Sequence, residues 1–294
     1  MTIKDLNVFV AVAQYENITK AASTLFMSQP QVSFLIKEME EEIGFPLFTR
    51  VKKRIRLSPK GKEFLSYANK VLSSFQEMEE FAQGEQKKKR VVVSSSLSMG
   101  EVFLSPLFKP LEEQGEYDFT YRIETGDQVI VDIETGRSDI GFIEGGSYGQ
   151  DLDAKPLFLD RLVLVSCFGF PVPKRISLEK LGNYPLLLRN PGSGTRAIFD
   201  SALAGRSVRL SIKAESMSNF ALLEMAKNGF GIAVMPYAFA RSSVENGQLK
   251  MSQIEGIPLE RTFTLITRKT TPYSELAERI FQSFSKEYSL DSAK

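Results

Sequence analysis

The spacing of apolar residues changes once along the chain, near Arg90, and no other feature restricts the possible folds as much. Before that point apolar residues recur every three or four positions, which is the period of a helix. Beyond it, short β-branched runs alternate with helical stretches. The change of pattern, with a length beyond one typical domain, divides the 294 residues into an all-α-type N-terminal unit, a connector and a longer α/β unit. A hydrophobic content of 43% supplies enough apolar material for more than one core.

Leu6, Phe9, Val10 and Ala13 form one stripe and predict a first helix. Asn17 and Thr19 open a second, whose Ala21, Ala22 and Leu25 suit close packing. Ser28-Gln29-Pro30-Gln31 reads as a helix start. Ser28 caps, Pro30 fits a first turn that needs no N–H from it, and Gln31 completes a capping box. A third helix is therefore predicted from Gln29, with Val32, Leu35, Ile36 and Met39 inward and Gln29, Gln31, Ser33, Phe34 and Lys37 on or near the free face.

Two helices a few residues apart, the second with a polar first turn, form the pattern that seats a helix in the major groove of DNA. Glutamine pairs bidentately with adenine, serine and lysine reach bases or phosphates, and an exposed Phe34 can touch a thymine methyl. An ordinary helical hairpin with a solvated polar face fits this segment equally well. The next stretch shifts the balance. Phe45-Pro46-Leu47-Phe48 and Ile55-Arg56-Leu57 are strand-like runs around Arg50-Val51-Lys52-Lys53-Arg54, a hairpin wing with a cationic tip suited to phosphates. From Arg50 to Lys62 there are seven basic residues and no acidic one, although the net charge of the whole chain is only +1.

Leu6-x-x-Phe9, Asn17-Ile18-Thr19-x-Ala21-Ala22-x-x-Leu25, Ser28-Gln29-Pro30-x-Val32-Ser33, Ile36-x-x-Met39-Glu40, Gly44-x-x-Leu47-Phe48-x-Arg50 and Leu57-Ser58-x-x-Gly61 come one after another in order. Together they resemble the DNA-binding domain of LysR-type transcriptional regulators, a winged helix-turn-helix. The resemblance implies operator reading by Gln29, Pro30, Ser33 and their neighbours, with Arg50 and Lys53 near the backbone. The candidate DNA-binding set is Thr19, Ser28, Gln29, Pro30, Gln31, Ser33, Phe34, Lys37, Arg50, Lys52, Lys53 and Arg54. Phe34 departs from the basic or polar residue usual at its position.

Phe64, Ala68, Val71, Phe75, Met78 and Ala82 are spaced 4, 3, 4, 3, 4, a heptad seam that calls for a partner helix. In the resembled family this linker helix forms the dimer, which implies a homodimer or homotetramer reading a palindromic operator. Gly84-Glu85-Gln86-Lys87-Lys88-Lys89-Arg90 then reads as a polar hinge.

Beyond it, strands are predicted at Val91 to Val93, Phe119 to Ile123, Ile140 to Ile143, Leu162 to Ser166, Leu186 to Leu188, Val208 to Ile212, Ile232 to Met235 and Thr262 to Thr267. Helices are predicted at Gly100 to Gln114, Gln128 to Thr135, Arg196 to Ala204, Asn219 to Lys227 and Tyr273 to Tyr288. The alternation predicts mostly parallel sheets, two of them by length, covered by helices. Ligands of such sheets sit past the carboxyl ends of the strands. Polar loops gather there: Ser94 to Ser98, Thr125-Gly126, Glu144-Gly145-Gly146, Arg189 to Arg196 and Ser216 to Asn219. Backbone N–H groups of Gly192-Ser193-Gly194-Thr195, backed by a helix dipole and arginines, suit an anion. Glu144 requires either Arg189 or Arg196 as a partner, or an amine on the ligand.

Asp139-Ile140-Gly141-Phe142 and Gly229 to Pro236 are similar to signatures of the same family's effector-binding domain, a periplasmic-binding-protein-like pair of α/β lobes. The resemblance implies a small-molecule effector between the lobes, in a cleft lined by Ser96, Ser98, Thr125, Glu144, Ser193, Gly194 and Ser216; Gly126, Thr195 and Arg196, in the same loops, complete the candidate effector-binding set. The expected organisation is 1–58 for the winged helix-turn-helix, 59–90 for the linker helix and hinge, and 91–294 for the effector domain, whose lobes comprise 91–161 with 267–294, and 162–266.

No histidine occurs, which removes Ser-His-Asp and Cys-His pairs and the commonest transition-metal ligand. The single cysteine, Cys167, comes after a strand-like run and reads as packing. A regulator without cofactor, metal or catalytic residues is expected, cytoplasmic because no membrane span or export signal is seen. Its expected partners are operator DNA, an effector, a second copy of itself and, for an activator, RNA polymerase. The alternative is a cytoplasmic small-molecule-binding protein or enzyme on the same lobes, since carboxylate and lysine chemistry stay open.

Overall fold

Thr2, Asn17 and Ser28 each accept a hydrogen bond from the backbone N–H three residues on, and so start α1 (Ile3–Tyr15), α2 (Ile18–Thr24) and α3 (Gln29–Ile43). The computed structural model describes residues 1–51, 54–82, 88–145, 148–206 and 208–287. Lys52 and Lys53, Gly84 to Lys87 of the hinge, Gly146 and Tyr288 lie outside them. The expected capping box is present, with Gln31 Oε1 accepting from Ser28 N at 3.0 Å. Strands β1 (Phe48–Val51) and β2 (Arg54–Leu57) pair antiparallel, Phe48 opposite Leu57. The first strand starts at Phe48 rather than Phe45, because the N–H groups of Leu47 and Phe48 are both given to the Glu40 carboxylate, at 2.7 and 3.0 Å.

Fully buried Phe9 ties α1 to the wing and the connector, with ring centroids 5.4 Å from Phe48 of the hairpin and 5.1 Å from Phe64 of α4 (Pro59–Ala82). Three rings from three elements lock helix, wing and connector into one core. The seam of α4 divides accordingly. Ala68 is buried and Phe64 packs against that core, whereas Val71 and Met78 are 47% and 57% exposed.

The second unit runs β3 (Lys89–Ser96), α5 (Leu97–Met99), a π-helical turn at Gly100–Leu104, α6 (Ser105–Gln114), β4 (Tyr117–Glu124), α7 (Gly126–Glu134) and β5 (Ile140–Glu144). It continues through β6 (Leu152–Ser166), β7 (Arg175–Ile176), α8 (Leu178–Leu181), β8 (Pro185–Arg189), α9 (Gly194–Leu203), β9 (Ser211–Ser216) and α10 (Asn219–Lys227). The last elements are β10 (Ile232–Pro236), α11 (Tyr237–Glu245), β11 (Lys250–Ile254), β12 (Glu260–Arg268) and α12 (Ser274–Glu287). The sheet order is β4-β3-β5-β12-β6-β10-β8-β9, with β11 against β6 and β7 against β11.

Pairing is parallel within β4-β3-β5 and β10-β8-β9, and antiparallel wherever β12 or β6 takes part. The sheet is therefore mixed, not mostly parallel, because two long strands carry the chain out of the first lobe and back. β6 pairs with β12 over Leu152 to Arg161 and with β10 from Leu162 onward. Over Phe263–Thr267, β12 pairs with β5 of the first lobe, which moves the return between lobes from residue 267 to the start of β12. The strand expected at Val208 to Ile212 lies at Ser211–Ser216, held there by pairing with β8. Separate apolar clusters fill each lobe: Phe103, Phe158, Phe263 and Phe284 belong to the first, and Leu164, Leu188, Phe199 and Val234 to the second.

Candidate functional site

Two groups of side chains are organised for recognition. The first is on the N-terminal unit. Val32, Ile36 and Met39 are buried, so α3 presents the opposite side outward, and Gln29, Pro30, Gln31, Phe34 and Lys37 are all exposed there. Ser33 is half-buried and accepts a hydrogen bond from Gln29 Nε2 at 2.8 Å, which orders the polar first turn. Ser28 and Gln31 are partly spent on the capping box, and Lys37 pairs with Glu41 at 3.3 Å. Thr19 on α2 and Arg50 on β1 are exposed. Arg54 opens β2, while Lys52 and Lys53 at the hairpin tip lie outside the described residues.

Nothing in the sequence singles out Phe26. In the turn between α2 and α3 it is 98% exposed at φ 54, the left-handed region that a side chain without a polar group seldom adopts. Phe34, further along α3, is exposed as well. Glu40, on the inward side of the same helix, fixes the start of the wing through its two backbone hydrogen bonds and so couples wing position to recognition-helix position. Its distance in sequence from Leu47 hides that role.

The second group lies where the two lobes meet. Arg261 on β12 is 4% exposed and donates from Nε to Asp160 Oδ2 at 2.8 Å, and from Nη1 to Glu144 Oε1 at 3.2 Å and Thr195 Oγ1 at 3.3 Å. One guanidinium thus joins β6, β5 of the first lobe and α9 of the second. Burial pushes the Asp160 carboxyl upward from its ordinary pKa, with Arg261 opposing. Glu144 therefore pairs with neither arginine considered for it. Arg196 is taken by Asp200 and Glu215, at 2.8 and 2.6 Å, and by the carbonyl of Arg189. Arg189, at the end of β8, is 6% exposed and gives Nε to Ser216 O at 3.2 Å. Burial lowers its pKa, while the fields of Glu101 and Glu144 raise it.

Across the lobes, Asn219 at the start of α10 donates to Glu101 Oε2 at 2.7 Å. Glu101 sits on the π-helical turn, where the following Pro106 can supply no backbone N–H to hold α-helical register. Of the residues expected here, Ser96, Ser98 and Thr195 are buried, and Gly194 approaches Glu144. Ser193 and Thr125 cap α9 and α7, accepting from Arg196 N and Gln128 N, and Ser216 Oγ accepts from Ser218 N. No described contact links Thr125 or Gly126 to the Arg261 cluster. Glu101, Asp160 and Arg261, which the sequence reading does not name, complete this cluster, joined by Asn219 from the Ser216–Asn219 loop that it does name. Asp160 and Arg261 carry little signal, each standing beside another charge, Arg161 and Glu260, in its strand.

A family model described as the bacterial regulatory helix-turn-helix protein, lysR family, matches residues 3–62, and one described as the LysR substrate binding domain matches residues 84–289. The HTH-type transcriptional activator CmpR of Synechocystis is 27% identical over 94% of this chain and 92% of its own length. The HTH-type transcriptional regulator CysL of Bacillus subtilis is 28% identical over 89% of each. Among solved structures, a full-length OxyR variant from Pseudomonas aeruginosa superposes with a TM-score of 0.69 at 24% identity, covering 97% of this chain and 95% of that one, a likeness of fold.

Proposed function

The chain belongs to the LysR family of transcriptional regulators, DNA-binding proteins with an effector-binding domain, and on that premise we propose that the first turns of α3 read base edges while the β1–β2 wing grips phosphate. The supporting observation is the two-sidedness of α3: its apolar side fills the core, and Gln29, Ser33, Phe34 and Lys37 are left along the other. Gln29 is suited to adenine and Phe34 to a thymine methyl. Arg50, Arg54 and the lysines between them suit backbone contact, which carries affinity without sequence information.

Operator affinity is expected to fall steeply with salt, log K declining by about 0.9 per phosphate contact for each unit of log salt. In fluorescence anisotropy with an operator selected from genomic fragments, Arg50→Ala should reduce that slope by about 1 across all sequences. Gln29→Ala should leave the slope unchanged and cost about 1–3 kcal/mol only where its base pair is the preferred one. A uniform loss from Gln29→Ala would remove it from base reading.

The exposed half of the α4 seam supports a dimer. Val71, Phe75 and Met78, with Ile3 of α1 and the stems of Lys70 and Ser74, line an apolar groove of about 380 Å³. A second copy's α4 fits it by symmetry. Replacing both Val71 and Met78 by aspartate should convert the protein to monomer in sedimentation equilibrium and weaken operator binding by roughly two orders of magnitude, as two half-sites are then bound singly. A dimer persisting in that variant would place the contact elsewhere.

The lobes bind an effector between them and perform no turnover, and effector binding alters lobe closure and thereby the spacing of the DNA-binding units. A route exists within one chain. Asn69 of α4 donates to Thr135 O at 2.6 Å and Lys70 to Thr270 Oγ1 at 2.8 Å, so the connector rests directly on the first lobe. Among the described residues no helix is long and apolar enough to cross a membrane. A bacterial regulator of this kind works on chromosomal DNA, hence in the cytoplasm.

A further inference from the structure

The charges between the lobes do not suit a purely anionic compound. Among the described residues, Arg261 is divided between Asp160 and Glu144, and Arg189 lies in the field of both Glu101 and Glu144, so three carboxylates meet two guanidinium groups. Glu101 Oε1 and Glu144 Oε2 have no hydrogen-bond partner among the described residues, and neither have the Nη groups of Arg189. Arg189 is thus a nearly buried cation with an open hydrogen-bonding edge, within electrostatic reach of two carboxylates with open edges of their own.

Buried atoms around this cluster are also unsatisfied. Asn219 is fully buried, and its Oδ1 finds no donor; Arg261 Nη2 finds no acceptor; Ser96 Oγ, at the end of β3, has neither. A native fold leaves few such groups unpaired without a reason, and the two that belong to the charged cluster itself, Asn219 Oδ1 beside Glu101 and Arg261 Nη2, point to a polar occupant. Their chemistry is complementary in two parts. Glu101, Glu144 and Asn219 Oδ1 offer acceptors, which an ammonium's three N–H groups match. Arg189 and Arg261 Nη2 offer donors in the fork geometry that a carboxylate matches, and the N-terminus of α10 adds its dipole.

We propose that the effector is a compact zwitterion of the α-amino-acid type, its carboxylate on the Arg189 guanidinium and its ammonium between Glu101 and Glu144. The proposal rests on the reading of the lobes as an effector site and gives that site its ligand class. A dicarboxylate or a sugar phosphate would set a second negative group against Glu101 and Glu144, where three carboxylates already share two arginines. A zwitterion satisfies both signs and leaves the net charge of the cleft unaltered. Because Glu101 belongs to the first lobe and Arg189 to the second, such a ligand also bridges the lobes, which is what an effector that biases closure has to do.

The test is thermal unfolding of the full-length protein with each of the twenty L-amino acids at millimolar concentration, and in parallel with succinate, 2-oxoglutarate, inorganic phosphate and 3-phosphoglycerate. At least one amino acid should raise the melting temperature, since a compound bound only to the folded state stabilises it by mass action. Its N-acetyl derivative and its decarboxylated amine should each fail to do so. By titration calorimetry, Arg189→Gln and Glu101→Gln should each weaken that amino acid at least tenfold, while both variants keep the melting temperature of the free protein within a few degrees. Stabilisation by the dicarboxylates or phosphates and not by amino acids would overturn the zwitterion and leave the effector site standing. Retention of the shift after N-acetylation would overturn it as well. Silence in both series would remove the effector site and the proposal together.

Discussion

Replacing Gly61 by alanine is expected to unfold the N-terminal domain and abolish operator binding while the lobes melt as before. Gly61 is in the first turn of α4, where its N–H donates to Ser58 Oγ at 2.8 Å and Ser58 Oγ in turn donates to Pro46 O at 2.7 Å. This places the start of the connector directly on the backbone leading into the wing. A Cβ on Gly61 would lie 2.0 Å from Leu47 O and 2.9 Å from Leu47 C, and backbone atoms cannot swing aside as a flexible side chain can. Two effects oppose each other. Helix propensity favours alanine over glycine by about 1 kcal/mol, whereas forcing an atom into a packed contact with backbone costs about 3 kcal/mol. The second wins, and the loss is a large share of what holds a domain of this size together. Differential scanning calorimetry should show the N-terminal transition shifted down or gone and the transition of the lobes preserved. A Gly61→Ala protein as stable as the parent would mean that wing and connector are not in contact in solution.

The N-terminal domain also shows how far a linear reading reaches. Ser28, Pro30 and Gln31 lie within four positions, so the cap, the proline and the box were all legible, and α3 begins where they imply. The heptad spacing in α4 was legible for the same reason. Its division into a half buried by Phe9 and a half left open was not, because the spacing of Ala68 and Val71 is identical whichever surface meets them. The wing is legible from its charges, but its first strand starts three residues later than expected, since the donors of Leu47 and Phe48 are claimed by the Glu40 side chain near the end of α3.

The lobes were harder. Short apolar strands announced themselves, but the first ten residues of β6 contain Pro156 and alternate with charge, and only pairing with β12 makes them a strand. Helix α11 is not legible either: Arg241, Ser242 and Ser243 separate Ala240 from Val244 on its inward side. The loops of the cleft were recognisable from their serines and glycines. The charges that decide what the cleft takes were not, for Arg261 is separated by 101 residues from Asp160 and by 117 from Glu144. Local chemistry fixes caps and turns; the partner of a buried charge is set by topology alone.

That long-range cluster should be the most sensitive position in the lobes. Arg261→Leu removes the counter-ion of two carboxylates whose side chains are each only 5% exposed, together with the bond to Thr195 across the lobes. Breaking a buried pair from one side costs about 3–5 kcal/mol, because the remaining charge is left unpaired in a poor solvent. The loss also depends on pH, with a definite sign. Asp160 is already pushed upward by burial, and without Arg261 its folded-state pKa rises further above the unfolded value. A carboxylate raised in this way favours the folded state below its unfolded pKa and loses that contribution as pH rises through the folded pKa. The deficit of Arg261→Leu should therefore be largest near neutral pH and shrink on acidification, as measured by urea denaturation of the lobes. Adding Asp160→Leu should recover the share of the loss that Asp160 carries, since an apolar replacement of a buried ion pair is often close to neutral, and leave the share due to Glu144. Recovery of stability without recovery of effector-induced stabilisation would separate what the cluster does for the fold from what it does for the cleft. A single substitution costing less than about 1 kcal/mol, the range of exposed pairs, would mean that water reaches these carboxylates and that the strut between the lobes is not one.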